Sequence, residues 1–533
     1  MDTTLGKTQS LPPDVEGTAF ARALAAFREA IGAEWVLSEP EELAPFHDPY
    51  PVRGQEHFAP SAVLRPGTVE DVQAIVRIAN ETRVPLSPVS TGKNNGYGGA
   101  SPRLCGAVVV DMGNRMNRVL EVNEKFGYAL VEPGVTYFDL YDHLQKSNSA
   151  LMLDCPDLGW GSIVGNTMDR GVGYSPYGDH FLWQTGMEVV LPTGDVMRTG
   201  MGAVPGSNTW QLFPYGFGPY PDGLFTQSNF GIVTKMGIAL MQRPPASMTY
   251  LITFDREEDL EAIVDIMLPL RINMAPIQNV PVIRNIVLDA GTVSKRSEWY
   301  DGPGPLPPSA IEKMKKTLGL GYWNFYGTLY GPPPMIDMFW TMIKDAFGTI
   351  EGAKFFTHEE RKDRGGEILQ DRHKINNGIP SLDEMRLMEY IPNAGHVCFS
   401  PISAPDGKDA LRQFEMVKAR ADEYSKDYAA DFIIGLREMH HICLFLFDTK
   451  DEKSKEETFD LTRLLIAEAA AEGYGEYRTT TRSWMTSWRR SAGAAVRCES
   501  STRRSRTPSI QIPSWLRASP ASGAGASAIA ACK

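Results

Sequence analysis

In residues 151–180, LMLDCPDLGWGSIVGNTMDRGVGYSPYGDH, a Pro-Asp-Leu-Gly turn sets Asp157 among Leu, Cys, Pro and Trp. A carboxyl group in apolar company is hard to ionise, so a raised pKa and proton-transfer work are expected of it. The competing reading is a loop acid that caps a turn. The glycines of the run let backbone approach a flat ligand closely. A second chemical feature is the loop of residues 91–99, TGKNNGYGG. Successive backbone N–H groups in such a loop form nests for anions and suit a phosphate, although a plain flexible turn has the same composition. Nine histidines are spread along the chain, at 47, 57, 143, 180, 358, 373, 396, 440 and 441, and none taken alone separates a functional group from a structural one.

These groups need a frame. Residues 62–64 read as a short strand and Thr68 as an N-cap with Glu70 and Asp71 in the first turn. Residues 69–80 then read as an amphipathic helix and 84–89 as a strand, so a βαβ unit feeds the 91–99 loop. Residues 17–31 read as a helix, and 128–132 as a strand that turns at Pro133-Gly134 into a helix capped by Thr136. Two strands are expected in 181–200, joined at Pro192-Thr193-Gly194-Asp195, and a loop and strand in 222–234. After Pro244-Pro245 the pattern changes to a strand and an acidic-started helix in 253–271, with helices at 311–318, 335–346, 408–424 and 454–472. The expectation is an α+β chain with a boundary near residue 243. Gly171-Val172-Gly173 is only a fragment of a Rossmann fingerprint, since Ser175-Pro176 follows where a helix should open, and no Walker A motif occurs. Any dinucleotide is held another way.

The chain has 533 residues, 42% hydrophobic and 22% charged, which is a globular composition with room for more than one domain. No apolar run is long enough to span a membrane, and the N-terminus carries no evident secretory signal. Six cysteines show no CxxC spacing or disulfide framework, which fits a reducing, cytoplasmic setting. The charge is uneven. Residues 480–533 hold nine Lys and Arg against Glu499 alone, in a chain of net −12. The body before them is therefore strongly acidic and a poor partner for nucleic acid.

Taken together, the loops STGKNNGYGG and DGLFTQSNFGIVT, the run LDCPDLGWGSIVGNTMDRGVGYSPYGDH, the pair Gly395-His396 and the dipeptide Tyr477-Arg478 resemble the vanillyl-alcohol oxidase family. The likeness is greatest to its bacterial eugenol oxidases and runs through residues 17–479. It implies an α+β fold with an FAD domain, residues 1–243, of the type shared with 4-cresol dehydrogenase, and a substrate-binding cap, residues 244–479. It implies a homodimer that oxidises para-substituted phenols of the vanillyl alcohol, eugenol or 4-alkylphenol type.

Carried over residue by residue, His396, in the context NAGHVCFSP, matches the histidine that bonds covalently to the flavin 8α-methyl carbon. The 4-cresol dehydrogenase branch uses a Tyr for this link and passes electrons to a cytochrome, so a His favours an oxidase that reduces dioxygen to hydrogen peroxide. The resemblance also implies FAD contacts from Ser90, Thr91, Gly92, Lys93, Asn94, Asn95 and Gly96, from Pro156, Gly161, Ser162, Gly165, Asn166, Gly171, Tyr174 and Gly178, and from Gly231, Ile232 and Val233. Tyr97, Tyr477 and Arg478 match the groups that bind the phenolic oxygen. A phenol ionises near pH 10, so holding it as phenolate near neutrality takes about 4 kcal/mol, which one guanidinium and two hydroxyl donors in a dry pocket can supply. Asp157 matches a catalytic acid beside flavin N5, managing a proton after a benzylic hydride leaves and a p-quinone methide forms. Asp431 and His440 match positions lining the substrate cavity.

After Thr479 the family pattern stops. The family's closing segment, with its Gly-Lys-Ser-Gly-Ile-Trp motif, is replaced by an Arg-, Ser- and Ala-rich run without Asp. Back-translated one base earlier, the run can encode a family-like ending, and the single-codon residues Trp484, Met485, Trp488 and Trp515 all fit. A base lost near Thr479 is the expectation, with 480–533 an aberrant basic tail. Two rival functions remain: a dehydrogenase with a protein electron acceptor, and a non-catalytic protein whose basic tail binds nucleic acid or acidic membranes.

Overall fold

The computed structural model describes residues 11–12, 14–51, 58–94, 96–273, 275–363 and 365–479. Its first layer forms where the sequence pattern is clearest. Helix Gly17–Ile31 buries Phe20, Ala23, Leu24, Phe27 and Ile31 along one stripe. That stripe shares a core with Val72, Ile75, Val76 and Ala79 of helix Val69–Thr82. Thr68 and Asp71 close a reciprocal capping box at its start, with N–H to side-chain oxygen distances of 3.1 and 3.2 Å. The strands on either side of this helix, Val63–Leu64 and Leu86–Val89, do not pair with each other. Val108–Asp111 inserts between them, parallel to both, because all four of its residues are buried and need a central position. The 91–99 loop leaves the edge of this four-stranded sheet.

A five-stranded antiparallel sheet follows, in the order Val119–Asn123, Tyr128–Val131, Ile232–Ala239, Gln184–Val190, Val196–Arg198. The sequence between its second and fourth members holds the 151–180 run. Within that run only Leu151–Met152 is strand and Ile163–Met168 helix. The short helix was not legible amid the glycines; Ser162 caps it, its hydroxyl accepting the Gly165 N–H at 3.0 Å.

From Ser247 to Glu476 the strands build one nine-stranded sheet. Its order is Lys354–Thr357, Ser247–Phe254, Trp323–Tyr330, Val282–Asn285, Ala430–Ile434, Met439–Asp448, Pro401–Ser403 and Gly475–Glu476, with Ala394–Phe399 also on Met439–Asp448. Among the described residues no strand before Arg243 pairs with one after it. Register here decides the chemistry: Arg284 lies opposite Asp431, Ile402 opposite both His440 and Gly475, and Pro401 opposite Glu476. Strand alternation turns Asp431 to one face while Phe432 goes to the other, stacking on His441 with ring centroids 4.1 Å apart. The whole is α+β.

Candidate active site

Asp157 receives two donors. The Tyr174 hydroxyl binds one carboxylate oxygen and the Arg372 guanidinium the other. Arg372 comes from helix Gly366–Asn376, is buried, and lies over the Tyr174 ring, 4.8 Å from its centroid. It also reaches Glu384 at 3.3 Å, and Glu384 in turn binds Arg284 at 3.0 Å. Arg284 holds the fully buried Asp289 at 2.6 Å. This chain of alternating charge overturns the expectation of a raised pKa for Asp157. Burial pushes the carboxyl up, but Arg372, the Tyr174 hydrogen bond and Arg284 outweigh it and hold Asp157 below the usual carboxylate range. The raised acid is Asp431. Burial lifts it to about 8, with Arg284 opposing and the neighbouring Asp157 and Glu384 adding to the rise. Its Oδ1 and the Arg372 Nη1 are buried without a hydrogen-bond partner among the described residues.

Tyr97, Tyr477 and Arg478 come together although 380 residues of chain separate the first two. The Arg478 guanidinium lies 5.7 Å from the Tyr97 ring and 4.7 Å from the Tyr477 ring. Its Nε donates to the Asp169 carbonyl at 3.0 Å, and the Tyr477 hydroxyl donates to the Arg170 carbonyl at 2.5 Å. Tyr97 is hydrogen-bonded with the Cys398 thiol, which burial pushes up to about 12. Burial also drives the Tyr97 hydroxyl well above its ordinary value, with Arg478 pulling it back. His440 stands edge-on to Tyr477, ring centroids 4.5 Å apart, and burial together with Arg478 lowers it to about 4. The Tyr477-Arg478 pair is half-buried just past the last strand of the large sheet.

His396 sits on Ala394–Phe399 with its ring buried, lowered to about 4 by desolvation, and with Nδ1 unpartnered among the described residues. Its Nε2 faces Gly96, where a Cβ would come within 2.4 Å. Gly96 has φ +77°, a conformation only glycine holds without strain. A neutral imidazole with one nitrogen against a glycine loop and the other unpartnered among the described residues fits the attachment of a flat cofactor. The Gly165 position, where a Cβ would strike the Ser90 hydroxyl at 2.1 Å, brings the 91–99 loop and the short helix equally close. Asn94 donates to Asp169 at 3.0 Å and so ties the same loop to the phenol-side group.

The other expected cofactor residues divide. Thr91, Gly92 and Lys93 lie on the loop, Lys93 5.6 Å from the Trp160 ring. Pro156 and Gly161 flank Asp157, and Gly178 packs against Gly173 and Val280. Asn166 spends its side-chain oxygen on His180. Gly231 packs on Val189, and Ile232 and Val233 are buried in the five-stranded sheet. Asn95 and the 480–533 tail lie outside the described residues. Sequence reasoning missed Arg372, Arg284, Glu384 and Cys398. Their signal is weak: Arg284 and Cys398 lie in ordinary strand sequence and Arg372 in ordinary helical sequence, set apart by burial, and Glu384 is half-buried.

Comparisons fit this geometry. A family model for an FAD-binding domain matches residues 60–200. The 4-cresol dehydrogenase (hydroxylating) flavoprotein subunit of Pseudomonas putida is 41% identical over 476 residues, 89% of this chain and 90% of that protein. The 1'-carboxy-chondrochloren decarboxylase of Chondromyces crocatus is 39% identical over 315 residues, 57% of this chain and 55% of that protein. Among solved structures, 4-ethylphenol oxidase from Gulosibacter chungangensis, in an isoeugenol complex, superposes with a TM-score of 0.89 at 49% identity, covering 90% of this chain and 93% of that one. p-Cresol methylhydroxylase with substrate bound gives 0.88 at 39% identity, covering 90% and 93%. With one relative aligned across nearly its full length, this chain belongs to the vanillyl-alcohol oxidase family of FAD-dependent oxidoreductases.

Proposed function

We propose that the protein oxidises para-substituted phenols of the 4-alkylphenol, eugenol or vanillyl alcohol type, using FAD attached through His396 and dioxygen as electron acceptor. The observation that carries the reading is the convergence of Tyr97, Tyr477 and Arg478 on one spot, an arrangement that stabilises a phenolate oxygen. Bound FAD supplies the hydride acceptor and, on reoxidation by dioxygen, hydrogen peroxide. Arg478 offsets the phenolate charge and the two tyrosines orient the ring. Asp157, held ionised by Arg372 and Tyr174, accepts the proton released when water adds to the quinone methide or a benzylic alcohol collapses to an aldehyde. Asp431 is neutral at pH 7 and offers the para side chain a polar acid without a charge. His396, neutral at pH 7, is the nucleophile for flavin attachment. The FAD domain is residues 1–243 and the cap 244–479, and the working unit is a homodimer.

Mixing purified protein with a 4-allylphenol under air, then anaerobically, tests this. Peroxide in air and bleaching of the flavin without it are expected; no bleaching with any 4-substituted phenol would end the reading. The relative named as a 4-cresol dehydrogenase favours a second reading, electron transfer to a protein acceptor. Fast anaerobic bleaching with slow reoxidation in air, rescued by an artificial electron acceptor, would select it.

A further inference from the structure

Three residues before Asp157, Asp154 makes a buried contact that no role above absorbs. Its Oδ2 lies 2.6 Å from His180 Nε2. The other nitrogen of that ring, Nδ1, lies 2.5 Å from the Asn166 side-chain oxygen and 3.1 Å from the Tyr137 hydroxyl. Both His180 nitrogens are thus within hydrogen-bond reach of buried side-chain oxygens, and Asp154 anchors the ring through Nε2. Both side chains are almost wholly buried, His180 at 3% and Asp154 at 6% exposure. Buried polar groups are kept in place by such hydrogen bonds, since leaving them unpaired is costly.

The second Asp154 oxygen, Oδ1, accepts the Ser175 backbone N–H at 2.7 Å. The carboxylate also presses on Gly173, where a Cβ would lie 1.6 Å from Oδ2. Asp154 thus holds residue 175 by a hydrogen bond and packs on residue 173, and the residue between them is Tyr174, whose hydroxyl reaches Asp157. Asn279 holds the Tyr174 carbonyl from the far side at 3.1 Å. One short segment of chain therefore supplies both the acid and, three residues upstream, the clamp for the hydroxyl that binds it.

We propose that Asp154 and His180 are positioning residues: their contact sets the Gly173–Ser175 backbone so that the Tyr174 hydroxyl stays on Asp157. The proposal rests on the reading of Asp157 as the proton acceptor, and its test separates the two. His180→Leu, His180→Gln and Tyr174→Phe are made in the FAD-loaded enzyme, with the double variant Tyr174→Phe/His180→Leu. Crystal structures should show Tyr174 swung off Asp157 in His180→Leu and back within hydrogen-bond reach in His180→Gln, whose amide still donates to Asp154. Anaerobic flavin reduction should slow about tenfold in His180→Leu and in Tyr174→Phe, and by no more than that in the double variant. Tyr174 unmoved in His180→Leu, or losses that multiply in the double variant, overturns the proposal. Displacement of Tyr174 with unchanged reduction in Tyr174→Phe would uphold the positioning and overturn the assigned role of the hydroxyl. Where His180→Leu does not fold, Asp154→Asn keeps the shape, removes the charge and answers to the same two measurements.

Discussion

Asp157 and Asp431 are two carboxyl groups within one charged cluster, and their neighbours divide them. Arg372 and Tyr174 keep the first ionised, while burial keeps the second protonated. Two measurable consequences follow from the signs. Replacing Arg372 by Gln removes the cation beside Asp157 and raises its pKa, so flavin reduction in that variant should fall as the pH drops through a range where the wild type is flat. Single-turnover mixing from pH 5 to 9 reads this, and an acid limb that does not move would show that Arg372 does not set it. For Asp431 the linkage runs the other way. Below about pH 4 the group is protonated folded or unfolded and its titration is neutral for stability. Between about 4 and its folded value of about 8 only the unfolded chain releases the proton, so stability falls as pH rises. Asp431→Asn should therefore be more stable than the wild type at pH 8.5, by an amount on the order of a few kcal/mol, and so melt higher there, and match it at pH 4. Equal melting at both pH values would place the proton elsewhere, with Glu476, itself lifted to about 8 by burial, the next acid to substitute.

At the scale of elements, the site is one loop laid against one sheet. Gly96 is where they touch, and Gly96→Ala should push the loop off His396. The expected result is flavin released by acid precipitation from Gly96→Ala and retained by the wild type; retention in both would remove Gly96 from the attachment geometry. The loop residues were legible because they are contiguous and their glycines are unusual. The sheet residues were legible only as motif matches, since register is not written locally: nothing in the sequence shows that Arg284 will lie opposite Asp431. The same blindness produced the wrong sign for Asp157. Its near neighbours are apolar and argue for a raised pKa, but the residue that decides the matter is Arg372, 215 positions away. The βαβ reading holds in its helix and two parallel strands but lacks the strand between them. Helix and both strands were recognised, but the strand that separates them comes later in the chain.

For the whole molecule, the stretch expected to depart from the family pattern begins one residue after the described chain ends. If a base was lost near Thr479, the coding DNA read one frame earlier should run without a stop into a Gly-Lys-Ser-Gly-Ile-Trp ending, and the restored protein should carry more flavin per chain than the printed one. An intact mass matching the printed sequence from verified DNA, with equal flavin content, would show the basic ending to be genuine and sufficient. The pairing of Pro401–Ser403 with Gly475–Glu476 has a consequence for biosynthesis. Tyr97 leaves the ribosome early, whereas Tyr477 and Arg478 are added about 380 residues later. At 5–20 residues per second that interval is on the order of 20–80 s. Throughout it a nascent chain holds the 91–99 loop without Tyr477 and Arg478, so on the proposed roles of these residues the phenolate site is completed only by nearly the last residues of the described fold to be translated.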